Sequence, residues 1–106
     1  MGKFIVKLGE HYLEWSTVVD APVTFGMSLA EFKEYYRWEN GERGMKELVA
    51  RLERVEKKGT SSFTDVDAED TISINRAGPN ETELTRHEIH QAYCLRKPVK
   101  GGWLPK

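Results

Sequence analysis

One cysteine, Cys94, stands in the 106 residues. A lone thiol cannot close an intrachain disulfide, which excludes a disulfide-stapled miniprotein and fits a reducing compartment. No apolar run approaches the ~20 residues of a membrane helix, and no apolar h-region follows the N-terminus. The expectation is a cytoplasmic protein with no membrane partner and no secretory address. Met1-Gly2 does not open an N-myristoylation motif, because Val6 stands where that motif takes Ser or Thr. Excess charge is absent too: 16 Lys and Arg oppose 17 Asp and Glu, for a net charge of −1. That balance excludes a histone-like basic protein and an acidic solvating tail. Hydrophobic residues at 39% and charged residues at 31% describe a folded globular chain. The length supports one core, read as a domain over 1–97 with a basic tail over 98–106.

The pattern of the chain predicts an α+β fold. Phe4, Val6 and Leu8 alternate with Ile5 and Lys7 as a strand with one face better buried, and Gly9-Glu10 turns it. Residues 12–19, rich in aromatic and β-branched side chains, predict the returning strand, which Asp20-Ala21-Pro22 ends. Ser28 with Glu31 has capping-box spacing and starts a helix carrying Leu29, Phe32 and Tyr36 inward. Asn40-Gly41 stops it. Met45, Leu48, Val49, Leu52 and Val55 then make an apolar stripe on a second helix that ends at Lys57-Lys58-Gly59. Thr71-Ile72-Ser73-Ile74 alternates as a short strand able to join the sheet, and Thr85 with Glu88 opens a final helix carrying Ile89, Ala92 and Tyr93. The architecture expected is a small antiparallel sheet packed against about three helices.

Chemistry-bearing residues are few. No Gly-x-Ser-x-Gly elbow, P-loop, dinucleotide fingerprint or His-Glu-x-x-His motif is present, so the expectation is a non-enzymatic protein without a cofactor. Ser61-Ser62 offers hydroxyls but no partner motif. His87, His90 and Cys94 share about 60° of arc on the last helix and are all zinc ligand types, with Asp65, Asp67 or Asp70 as a further donor. Three ligands on one helix reach tetrahedral positions with difficulty, so this metal set is the alternative and a polar stripe facing solvent or a partner is the main reading. The acidic run from Asp65 to Asp70 fails as a calcium loop, with Asp70 where glycine is required and Arg76 where a bidentate Glu belongs. It reads as a solvated loop or a helix cap.

Nucleic-acid binding is a further alternative. Residues 95–106 hold four bases and no acid, and Trp103 adds a stackable ring. Residues 61–94 hold seven acids against two bases, so the basic tail can instead fold back onto them. Trp15, Trp38, Trp103, Tyr35, Tyr36 and Tyr93 exceed what so small a core easily buries. Exposed Tyr and Trp dominate interface energetics. The leading expectation is therefore a protein-interaction module, a homodimer or a binder of another protein, with Tyr35, Trp38, His87, His90 and Trp103 as contact residues.

The stretches from Trp15 to Met27 and from Asn75 to Glu81, with Thr85 opening the next helix, resemble short phage proteins of actinobacterial hosts that have no assigned function. The resemblance implies a host-cell cytoplasmic setting and a host-modulating role, and it carries no functional residues with it.

Overall fold

In a computed structural model, two strands, β1 (Lys3–Leu8) and β2 (His11–Ser16), form an antiparallel ladder with Phe4 opposite Trp15 and Val6 opposite Leu13. Residues 3–61 and 67–105 are described. Met1-Gly2, Ser62, Asp65 and the last residue of the basic tail, Lys106, lie outside them. Gly9 turns the hairpin in the left-handed region at φ 61°, where a Cβ is penalised. The returning strand stops earlier than expected, at Ser16, and Val18 and Val19 are exposed in the turn that follows. Asp20-Ala21-Pro22 does not end the sheet: Ala21–Pro22 forms β3, pairing with β2. Proline is tolerated there because an edge strand has no further ladder to donate to.

Segments from elsewhere cover the hairpin's edges. Along β1, Lys7 N–H donates to Gly59 C=O (2.9 Å), Ser61 N–H to Ile5 C=O (2.9 Å) and Ile5 N–H to Ser61 Oγ (2.8 Å). Along β2, Tyr12 and Met27 exchange both backbone hydrogen bonds, at 2.8 and 2.9 Å. Covered edges cannot template pairing with other chains, and Ser61 is spent on this scaffold.

Helix α1 (Leu29–Lys58) opens with the Ser28–Glu31 capping box and closes on Gly59, left-handed, with its N–H on Val55 C=O. Gly41 breaks it into two arms at φ 69°, ψ −177°, which is the stop expected at Asn40-Gly41. Arg37 on the first arm reaches Glu42 on the second at 3.2 Å. Helix α2 (Ala68–Ser73) replaces the strand expected at 71–74. Asp67 and Asp70 form a reciprocal capping box that starts a helix there, and Ala68, Thr71 and Ile72 are buried at i, i+3 and i+4. Helix α3 (Arg86–Ile89), capped by Thr85 and Glu88, runs on into a widened π turn over His90–Cys94, where Leu95 N–H bonds His90 C=O at 3.1 Å.

Strand alternation sends side chains to two separate cores. Ile5 and Tyr12 meet Phe32, Tyr36, Leu48 and Val55 of α1. Val6, Leu8, Leu13 and Trp15 meet Ile72, Leu84, Ile89 and Tyr93 on the opposite face. The sheet is thus buried on both sides, which is why Ile5 and Val6 are both enclosed, and the Phe4, Val6 and Leu8 face of β1 is still the better buried, as expected. Among the described residues no helix is long and apolar enough to cross a membrane.

Candidate functional site

The kink at Gly41 has a consequence on the surface. The two arms of α1 leave between them a groove of about 510 Å³. Leu29, Lys33 and Arg37 line one wall, and they lie within about 80° of arc on the first arm. Met45, Val49, Leu52 and Glu53 line the other. Two of the apolar residues expected in the core, Leu29 and Val49, stand at this groove, with Val49 62% exposed. The walls differ in charge, with cations on the first arm and carboxylates on the second. Arg37 is held by Glu34 and Glu42, and Glu56 by Lys7 and Tyr12. Lys33 and Glu53 have no ionic partner among the described residues.

On the opposite side of the sheet, three donors converge. His11 opens β2 on the face shared by Leu13 and Trp15, the face that the last helix covers. His90 and Cys94 stand at the two ends of the π turn. One ligand atom from each of His11, His90 and Cys94 lies within 4.8 Å of the other two. The imidazoles meet edge-on, centroids 5.4 Å apart and planes at 67°. His11 Nδ1 is buried with no hydrogen-bond partner among the described residues, a state that costs roughly 1–3 kcal/mol. Burial, with His11, His87 and Arg86 adding like charge, holds His90 below the ordinary histidine range, which favours its neutral form. Burial also pushes the Cys94 thiol up to about 11, which keeps it protonated and unreactive as a nucleophile. Two glycines shape the walls. A Cβ at Gly26 would stand 2.6 Å from Cys94 Sγ, and one at Gly9 would touch His90 Nε2 at 3.4 Å.

The residues singled out in the sequence scatter. Trp38 is 81% exposed, about 140° round the helix from the midpoint of buried Phe32 and Tyr36. Tyr35 is half-buried and bonded to Glu14. Trp15, Tyr36 and Tyr93 are enclosed. Trp103 bridges back to Val99 and packs against the core, lining a concavity of about 270 Å³ with Phe25 and Tyr93. In the tail, Arg96 lies over the Phe25 ring at 4.2 Å and Lys100 reaches Glu88 at 3.8 Å, so part of the basic segment does fold back onto an acid. His87 is exposed and stands outside the three-donor group, in which His11 takes its place. Strand parity is the signal that would have found His11: it shares a face with Leu13 and Trp15.

No family model, no curated protein and no solved structure matches the chain.

Proposed function

We propose that this protein is a non-enzymatic interaction module that self-associates through the groove between the arms of α1. The observation that carries the reading is the groove itself: a mostly apolar cleft, open to solvent, with Lys33 on one wall and Glu53 on the other. A two-fold contact sets the basic arm of one copy against the acidic arm of the other, so the Lys33–Glu53 pairing forms twice by symmetry. It also covers Leu29 and Val49, which a monomer leaves in water.

Sedimentation across a range of concentrations tests this. The expected result is a concentration-dependent dimer that Val49→Lys converts to monomer without loss of helix content. A monomer at every concentration defeats self-association.

A second reading rests on Trp38, whose ring stands almost wholly in solvent. A host protein docking there, in the host-modulating role that the phage resemblance implies, predicts a complex lost in Trp38→Ala and retained in Val49→Lys.

A further inference from the structure

We propose that His11, His90 and Cys94 form a binding site for one Zn²⁺ ion, which clips the start of β2 to the C-terminal helix. The inference stands on the opposite face of the sheet from the groove and is independent of it.

Two imidazoles and a thiol are a donor set that zinc takes. With Zn–N near 2.0–2.1 Å and Zn–S near 2.3 Å, donors on a tetrahedron stand about 3.3–3.6 Å apart. The three ligand atoms already lie within 4.8 Å of one another, so small side-chain rotations close the set. The difficulty of reaching tetrahedral positions from one helix disappears, because the third donor comes from a strand. His11 Nδ1, buried and without a partner, belongs to a side chain held in place by no hydrogen bond of its own among the described residues. The π turn spans His90 to Cys94, and such widened turns recur at functional sites. Binding exchanges one bond for another. The Cys94 S–H proton leaves to solvent as the Zn–S bond forms, and each imidazole donates a ring-nitrogen lone pair, releasing to solvent any proton that nitrogen carried. Three protein donors leave the fourth position to water. A concavity of about 390 Å³ bounded by Leu8, Gly9, Arg86, His87 and His90 gives the ion a way in.

The test uses the full chain without an affinity tag, titrated with Zn²⁺ alone and, as a spectroscopic probe, with Co²⁺. The expected result is one equivalent bound, a thiolate-to-cobalt charge-transfer band, and a melting temperature that climbs with zinc concentration. His11→Gln should weaken binding by more than the roughly 100-fold that loss of an outer partner costs a zinc site, and Cys94→Ser should abolish the charge-transfer band. His87→Ala should bind as the parent does. If Cys94→Ser fails to fold, the cobalt band of the parent and the His11→Gln titration still decide. A parent that binds no zinc overturns the proposal. So does undiminished affinity in His11→Gln, or a loss in His87→Ala equal to that in His11→Gln.

Discussion

The Tyr35 hydroxyl donates a 2.9 Å hydrogen bond to Glu14 Oε1, joining the first arm of α1 to the middle of β2. Glu14 is 8% exposed and also faces Lys3 at 3.6 Å, so the phenol is one of two groups serving a nearly buried carboxylate. Burial first, then the bond to Glu14, raises the Tyr35 phenol above its ordinary value. The folded state therefore holds this proton after the unfolded chain has released it. The stabilisation is complete below the unfolded value of about 10 and is lost as pH climbs past it. Tyr35→Phe should flatten the alkaline limb of stability measured by denaturant melts above about pH 9. Tyr12 and Tyr36 are raised as well, so the limb becomes shallower and does not vanish. An unchanged slope would show that the phenol does not titrate in this way.

Asn75 is 3% exposed and uses its whole amide. Its Nδ2 donates to the Ile72 and Leu84 carbonyls, both at 2.7 Å, and its Oδ1 accepts from Leu84 N–H at 2.9 Å and Ala77 N–H at 3.2 Å. This one side chain ties the end of α2 to the approach of α3. Asn75→Ala strands three backbone groups in a buried place, the Leu84 C=O and the N–H groups of Leu84 and Ala77, while the Ile72 carbonyl keeps the backbone N–H of residue 75 at 3.0 Å. An unsatisfied buried group costs about 1–3 kcal/mol. The expected loss, allowing for relaxation and water entry, is about 3–5 kcal/mol by denaturant unfolding. A loss under about 1 kcal/mol would mean that water replaces the amide.

Helix starts were legible in the sequence because capping is local. Ser28 with Glu31 and Thr85 with Glu88 each complete their reciprocal bonds within four residues. The same logic governs Asp67 and Asp70, where the carboxylates read as a solvated loop or a helix cap and form the cap, while the alternation of Thr71 to Ile74 read as a strand. Four residues satisfy either period, and the cap decides between them. Burial of both sheet faces was not legible, since the second cover, from Ile72 to Val99, comes from far along the chain. The meeting of His11 with His90 is hidden for the same reason. Strand parity puts His11 on the face of Leu13 and Trp15, but no spacing in the sequence encodes where α3 docks on that face. Of the surplus rings, Tyr35, Trp38 and Trp103 were read as contact residues; tertiary packing takes Trp15, Tyr36 and Tyr93 inside and leaves Trp38 out.

Gly41 sits at φ 69°, ψ −177°, a region open essentially to glycine alone. A Cβ there meets nothing within 4 Å, so the penalty of Gly41→Ala is conformational and free of steric clash. The substitution should destabilise by about 1–3 kcal/mol, and the melting temperature should fall by several degrees. Relief of the strain by straightening α1 would draw the arms apart. Gly41→Ala is therefore also expected to weaken self-association beyond its effect on stability, checked by sedimentation at a temperature where the variant is fully folded. A stability equal to the parent's would show that the kink is not held by this residue.

The two walls of the α1 groove permit a charge-reversal cycle. In a two-fold dimer, Lys33→Glu sets a carboxylate against the carboxylate of Glu53 at both symmetric contacts, and Glu53→Lys sets an ammonium against that of Lys33 at both. Both residues are on the surface and lack ionic partners among the described residues, so neither single change should disturb the fold. Like charges brought together at an interface oppose association, and each single variant should dissociate at least about tenfold more readily than the parent. The double variant, Lys33→Glu with Glu53→Lys, restores opposite signs across the contact and should recover most of the affinity. The effect should shrink as salt is added, because these groups lie at a rim that a Debye length of about 10 Å at 0.1 M screens. Recovery in the double variant cannot arise from a general change in net charge, since its net charge equals the parent's. A double variant that dissociates as readily as either single one would place the two walls on different surfaces and exclude the two-fold contact.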